Sequence, residues 1–558
     1  MTSQQAVLPG TGRLTLLDRV RSYADSPLLL VICIALVLIM QGTMVFGRAI
    51  NWDEFHFYRQ VELFAQGVLE YPLQTLHVRM FQWLPGVGGT GVDHIVIARM
   101  FMFACEVITA GGIVLLAARF TNWKTGVICA LAYLSSGFVM QHGFSFRTDP
   151  IIAALTMSSL CILGCTRFRG LWLLLFGALI GAAAMFSIKI VLWAPAFAGL
   201  AWWRWHGEDY GLSLVLRLAA ATSFAALFFA LLYLFHSAGV TVDSSAENML
   251  QNSAQKMFFI GIPPYWALML KLVSMSEILV LTIICFPVAL YMSDLDKHTK
   301  IAMIGLFLPI TVLGFYFNAL PYFYAFLLPP VAVACAVPLS RLGRRYGAGL
   351  PALAFLAMAL GIWVHEDKGV IDRQRELQTV AKTMFPQPIS YFDFAGFLPW
   401  QDKANAFMTL WGMELYRAGN VPPMREVMRA KTVPLVVEMD DMFSPVLNGA
   451  SEQRDLLPQD AAALRDTYIQ HWGPFWVPGE ILQPSEVRRA EIHVPGPYTL
   501  EYGEMQVNGR ALHKGDVIQL DRADYEIVAG KGGARLIWGD HLYKPDRDPL
   551  ERPYWTFF

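Results

Sequence analysis

The stretch Asn51-Trp52-Asp53-Glu54-Phe55-His56-Phe57-Tyr58 decides how this chain is read. It stands just beyond the first long apolar run, Pro27 to about Gly47. Two adjacent carboxylates at the mouth of a membrane span are expensive to keep there without a task. A second acidic signal, Phe146-Arg147-Thr148-Asp149-Pro150, stands at the edge of another apolar run. If both edges face the same side of a membrane, the acids define a site.

The composition supplies the membrane. The 558 residues are 55% hydrophobic and 16% charged, with mean hydropathy +0.43. That is too apolar for a soluble protein of this length and points to a polytopic helical membrane protein. The net charge of -1 gives no footprint for nucleic acid. Charge is sparse before about residue 364 and dense after it. Residues 1–364 therefore read as the transmembrane domain, 365–487 as an extracytoplasmic α/β domain and 488–558 as a small β-rich module. All seven cysteines lie in apolar runs, so no disulfide framework is expected, and no Cys/His spacing resembles a zinc site. Arg13, Arg19 and Arg21 precede the first run, which lacks a small-residue cleavage signal and reads as a signal anchor.

Spanning segments are expected near 27–47, 95–118, 124–141, 150–165, 171–188, 190–205, 211–235, 274–292, 301–318, 323–340 and 350–364, about eleven in all. One set of connections is short and basic: Arg119 to Lys124, Arg167 to Arg169, Arg204, Asp294 to Lys300, and Arg341 to Arg345. The positive-inside rule makes these cytoplasmic, together with the N-terminus. The other set holds residues 48–94, Arg147 to Asp149, Lys189, residues 236–273 and Asn318 to Tyr324. These face outward, and an odd span count places the tail outside as well. A bacterial cytoplasmic membrane with a periplasmic tail fits this layout.

Asp53, Glu54, Asp149 and Lys189 thus gather at outward helix ends. Such a set suits transfer of a sugar to a hydroxyl outside the membrane. Nucleotide sugars are absent there, so a polyprenyl phosphate must carry the donor. A carboxylate takes the acceptor proton, and cations offset the departing phosphate. Asp53 suits the first role. Glu54 points about 100° away around a helix, so of these two catalytic candidates one acts as base while the other positions the acceptor or a cation. Lys189, Arg147 and Arg79 suit the second, with Arg59 and Lys256 as weaker candidates. His56 and Tyr58 offer hydrogen bonds to substrate. Arg99 and Glu106, seven residues apart, fall on one face of a span, where a structural ion pair or helix-packing contact stands beside a catalytic role. Thr241 to Pro264 reads as a lid or a plain connector.

These residues resemble the GT-C glycosyltransferases of the protein O-mannosyltransferase type. That group includes the bacterial aminoarabinose lipid A transferases and the rhizobial lipopolysaccharide galacturonosyltransferases. The resemblance covers roughly residues 27–364 and rests on Asp53-Glu54 and Arg147-Thr148-Asp149-Pro150. Weaker matches are Ser187-Ile188-Lys189 and Pro321-Tyr322-Phe323-Tyr324 with Leu328-Pro329-Pro330. It implies an inverting transfer from a polyprenyl-phosphate sugar donor to a glycolipid or glycan acceptor among the membrane lipids. Asp53 would be the acceptor-side base, Asp149 a second essential acid, and Lys189 with Arg147 the phosphate contacts. Relatives often carry a further basic residue or His near the Pro-Tyr-Phe-Tyr stretch. Here Tyr322 and Tyr324 stand in its place, as substrate contacts. Some GT-C proteins use a divalent cation, and the sequence leaves that open.

In the tail, Ile389 to Asp393 and Val433 to Glu438 read as strands, with helices near 401–418, 422–430 and 458–470. Short strands follow from 490 to 538, with Asn508-Gly509 as a hairpin turn, and a small β-sandwich fits. A transporter or flippase would place its polar groups at mid-membrane in broken, repeated helices. An envelope polysaccharide polymerase or ligase would lean on outward Arg and His. Both remain alternatives.

Overall fold

The computed structural model describes residues 25–208, 210–241, 257–406, 408–449 and 455–556. Arg13, Arg19, Arg21, Lys256 and most of the expected lid lie outside the described residues. The chain divides into two compact units. One holds the described residues up to Phe46, Glu70–Leu76 and Met100–Glu366. The other holds Gly47–Leu69, His77–Arg99 and the tail from Asp367.

The first unit is helical. Among the described residues of the whole chain, five stretches have the length and apolarity of a membrane crossing: Pro27–Gly47, Gly91–Phe120, Thr148–Cys165, Leu212–Ser237 and Gly349–Met384, the second and the last running on into the other unit. Two bent pairs, Trp266–Met275 with Glu277–Tyr291 and Phe323–Ala334 with Ala336–Tyr346, raise the count to seven, against the eleven expected. The remaining apolar runs are shorter helices, such as Trp123–Leu134 and Leu171–Phe186, or helices that change to a 3-10 form. Hydropathy counts apolar residues and does not see where a helix breaks. α1 (Pro27–Gly47) is apolar all round: Leu28 and Ile39 are 66% and 61% exposed while Cys33, Val37 and Met44 are buried. A helix with outward apolar side chains of this kind suits lipid on one face and protein on the other.

Breaks in this unit are stabilised by side chains. The turn between Met275 and Glu277 bends the chain by 102°. There Ser276 accepts a hydrogen bond from the Gly137 N–H at 2.8 Å. The helix Phe323–Ala334 carries Pro329 and Pro330 in its interior. Each proline removes the donor for the carbonyl four residues earlier, which in an apolar bundle must find another partner. The Ala325 carbonyl accepts from the Tyr133 hydroxyl at 3.0 Å, and the Phe326 carbonyl from the Trp193 indole at 3.1 Å. The two orphaned carbonyls are therefore both satisfied.

In the second unit, α2 (Trp52–Ala65) starts with a capping box formed by Asn51 and Glu54. The helix Val370–Met384 holds the early-chain segments through two buried glutamines one turn apart. Gln374 exchanges hydrogen bonds with the Ile50 N–H and C=O at 2.8 and 3.0 Å. Gln378 accepts from the Val92 N–H at 3.0 Å and donates to the Phe397 carbonyl at 2.6 Å.

The tail strands are β1 (Ser390–Phe392), β2 (Asp402–Lys403), β3 (Leu435–Val437), β4 (Tyr468–Trp472), β5 (Phe475–Leu482), β6 (Val487–Glu491), β7 (Gly496–Val507), β8 (Arg510–His513), β9 (Val517–Leu520) and β10 (Asp524–Trp538). They hydrogen-bond in the order β2-β1-β3-β5-β10-β7-β8, with β4 on β5, β6 on β10 and β9 on β7. β1, β2 and β3 are parallel, and the others are antiparallel. β5 serves both parts: Phe475 and Trp476 pair with β3, and Gly479 to Leu482 pair with β10. The hydrogen-bond ladder is thus continuous across residue 488. Asn508 and Gly509 have φ of 47° and 79°, the left-handed pair a two-residue hairpin turn requires. Separate apolar clusters sit beneath the α/β part and the β-rich part.

Candidate functional site

Thr148–Cys165 begins with Asp149 in its first turn and Pro150 next to it. Proline is tolerated there because that N–H has no helical partner, and the helix dipole favours a carboxylate. Arg147 precedes the helix in extended conformation. Forty positions later, Leu171–Phe186 stops at Ser187, whose hydroxyl accepts the Lys189 N–H at 3.3 Å and starts a 3-10 turn. That turn brings Lys189 Nζ to 3.0 Å from Asp149 Oδ1, while Arg147 Nε lies 3.1 Å from Oδ2. The Asp149 side chain is 1% exposed, Arg147 7% and Lys189 16%.

Aromatic rings back the group. The Arg147 guanidinium carbon lies 3.2 Å from the Tyr322 ring centroid, and Lys189 Nζ lies 5.8 Å from that of Phe323. Tyr316 stacks on Phe323 at 4.7 Å and lies within electrostatic reach of Asp149, Arg147 and Lys189. Two cations thus meet one buried carboxylate, and guanidinium and ammonium groups held this way are the donors that recognise phosphate. Tyr324 diverges from it: its ring packs on Phe138 at 5.4 Å. Tyr316 was missed in the sequence, where it lies inside the apolar run 301–318, and Phe323 stood there only as part of Pro321-Tyr322-Phe323-Tyr324.

In the second unit, Asp53 is 6% exposed and its N–H donates to Asn51 Oδ1 at 3.0 Å. Glu54 is more fully engaged. It accepts from Asn51 N–H at 3.1 Å and takes a bidentate pair from Arg99, at 2.7 and 2.6 Å. Arg99 also donates to the carbonyls of Arg48 and Ala49. Arg99 and Glu106 each have another partner. Arg99 takes Glu54, and Glu106 accepts from Gln41 Nε2 at 2.9 Å. Helical spacing favoured the local partner, but Arg99 also caps a chain turn that only the folded loop creates.

The other candidates have their own neighbours. The Tyr58 hydroxyl donates to Glu62 at 2.8 Å and meets His94 Nδ1 at 2.5 Å. Burial and the Glu62 carboxylate push its phenol up. Arg79 lies over the Phe64 ring at 4.6 Å. His56 meets Gln60 at 3.1 Å, and burial with Arg59 and Lys403 nearby pushes its imidazole down to about 4. Among the described residues no three His, Cys, Asp or Glu side chains gather as a metal-binding group.

Helical spans with an extra tail sheet give the fold of a multi-pass membrane protein of the GT-C type. In structure the chain is similar to ArnT from Cupriavidus metallidurans, solved bound to undecaprenyl phosphate. The TM-score is 0.50 at 14% identity, over 76% of this chain and 96% of that one. The apo structure of the same protein gives 0.50 at 13% identity, over 75% and 94%. No protein-family model matches the chain, and no curated protein matches it in sequence.

Proposed function

We propose that the protein is an integral-membrane glycosyltransferase. It moves a sugar from a polyprenyl-phosphate donor to a hydroxyl of an envelope glycolipid or glycan, on the outer membrane face and with inversion. The observation that carries this reading is the buried cluster in which Arg147 and Lys189 both reach Asp149 at the start of one helix. Support also comes from the fold, shared with a protein solved with undecaprenyl phosphate.

In this reading Asp53 takes the proton of the acceptor hydroxyl. The acceptor oxygen then bonds to the anomeric carbon from the face opposite the phosphate, which inverts that centre. The anomeric C–O bond breaks, and its electron pair remains on the phosphate. The departing phosphate thereby gains negative charge, which Lys189 and Arg147 offset. Asp149 holds those two cations against each other's repulsion, and Tyr322 supports Arg147 from its ring face. Asp53 sits in the first turn of α2.

The test is transfer by the purified protein in lipid, followed as release of polyprenyl phosphate from its glycosylated form. Asp149→Asn is expected to abolish release while membrane insertion is retained. Full activity in that variant would overturn the reading. Lipid analysis of a deletion strain should show accumulated polyprenyl-phosphate sugar and an acceptor lacking one residue.

A further inference from the structure

In open α/β sheets, ligands bind outside the carboxyl ends of parallel strands. Here those ends carry Asp393 after β1, Lys403 and Asn405 at and after β2, and Asp440 after β3. They form a buried ionic knot. Lys403 Nζ donates to Asn405 Oδ1 at 2.7 Å and to the Asp393 carbonyl at 2.6 Å, and stands 3.2 Å from Asp393 Oδ1. The Asp393 carboxylate also accepts the N–H groups of Gly396 and Phe397. It thereby shapes the loop Phe394 to Phe397.

That loop meets one face of α2. Trp52, Phe55, His56 and Arg59 recur at helical spacing. Trp52 lies edge-on to Phe394 at 6.0 Å and Phe55 to Phe397 at 5.2 Å. Arg59 Nη1 donates to the Gln401 carbonyl at 2.8 Å. Gly396 has φ +89°, and a Cβ there would lie 3.1 Å from Arg59 Cδ, so the loop backbone rests on the arginine stem. His56 lies within electrostatic reach of Lys403.

We infer that α2 is the resident occupant of this crevice, and that Lys403 is a positioning residue which sets the orientation of α2 and thereby of Asp53. The inference rests on the proton-abstracting role proposed for Asp53. Asp53 adjoins the docked Trp52 on the same helical turn, so a small roll of α2 displaces its carboxylate. Displacement on that scale costs catalysis without touching donor binding. Burial, with Arg59 beside it, pushes the Lys403 amine down to about 8 against the pull of Asp393. The charged groups around it are Asp393 after β1, Asp440 after β3, and Arg59 and His56 on α2. Loss of its proton weakens the hold on Asp393 as pH rises past that point.

The test is steady-state kinetics of the full-length protein in lipid, for Lys403→Met and, separately, Arg59→Met. Each is expected to lower kcat on the order of 10- to 100-fold with donor KM unchanged. The wild-type fall in kcat above about pH 8 should be absent in Lys403→Met. Unchanged kcat in both variants overturns the inference. Loss of accumulation in both, or equal losses in kcat and donor affinity, makes the knot structural only and also overturns it. An active Asp53→Asn would instead remove the proposed base while leaving the docking of α2 as observed.

Discussion

Glu54 and Arg99 offer the sharpest separation of structure from chemistry. Both side chains are 1% exposed, and the guanidinium donates twice to Glu54 and to the Arg48 and Ala49 carbonyls. Arg99→Met leaves the Glu54 carboxylate buried without its cation. Breaking a buried pair on one side costs about 3–5 kcal/mol. For a unit of this size that lowers the unfolding temperature by roughly 6–20 °C. Glu54→Gln preserves the capping box, because glutamine serves at that position, but strands the guanidinium and should cost a similar amount. The double variant Glu54→Gln/Arg99→Met should lose less than the sum, with a coupling energy of about 2–3 kcal/mol. Unfolding temperatures compared at one scan rate in detergent, together with turnover at a permissive temperature, make the measurement. Asp53→Asn is expected to do the reverse: little thermal change and no turnover. A Glu54→Gln protein that melts within about 2 °C of wild type yet fails to turn over would refute the assignment of Glu54 to the scaffold.

Lys189→Gln should raise the donor KM more than the acceptor KM, and a defect confined to the acceptor would contradict its phosphate role. Tyr133→Phe leaves the Ala325 carbonyl unpaired beside Pro329 and should cost about 1–3 kcal/mol, read as a lower unfolding temperature. The pH dependence of the second unit holds two opposed contributions. His56 is lowered to about 4, so the unfolded chain binds its proton first and stability falls as pH drops from 6.5 through 4. That contribution reaches about 3 kcal/mol. Asp440, raised to about 7 chiefly by burial, contributes stability at low pH that is lost as pH rises through 7. His56→Gln should therefore improve acid tolerance and Asp440→Asn should improve stability at neutral pH, both measured as unfolding temperature against pH.

The first span was legible to the residue, since an apolar run of full length bounded by polar residues admits one reading. Asp149, Arg147 and Lys189 were legible as a group because each stands where an apolar run stops. Distant pairings were not. Nothing local in Trp52, Phe55, His56 and Arg59 announces a loop some 340 positions away. β5 escaped notice because it contains Pro478 and Gly479, which read as breakers. In the sheet Gly479 is needed, because a Cβ there would lie 2.5 Å from the Leu536 carbonyl oxygen. β10 is one strand of fifteen residues, although Gly530, Gly532 and Gly533 occupy its irregular middle, where the register with β7 shifts. The helix expected at 458–470 ends at Thr467, and β4 follows without a loop.

The discontinuity of the second unit has a consequence for biogenesis. Gly47–Leu69 and His77–Arg99 leave the ribosome long before Asp367 and the strands after it. At roughly 5–20 residues per second the wait is tens of seconds. During that time Trp52 and Phe55 have no loop to cover them, and Ile50 has no Gln374. Until synthesis is nearly finished the nascent acidic segment is a natural client for chaperones and proteases, so a fault in the last strands would be felt first at Asp53.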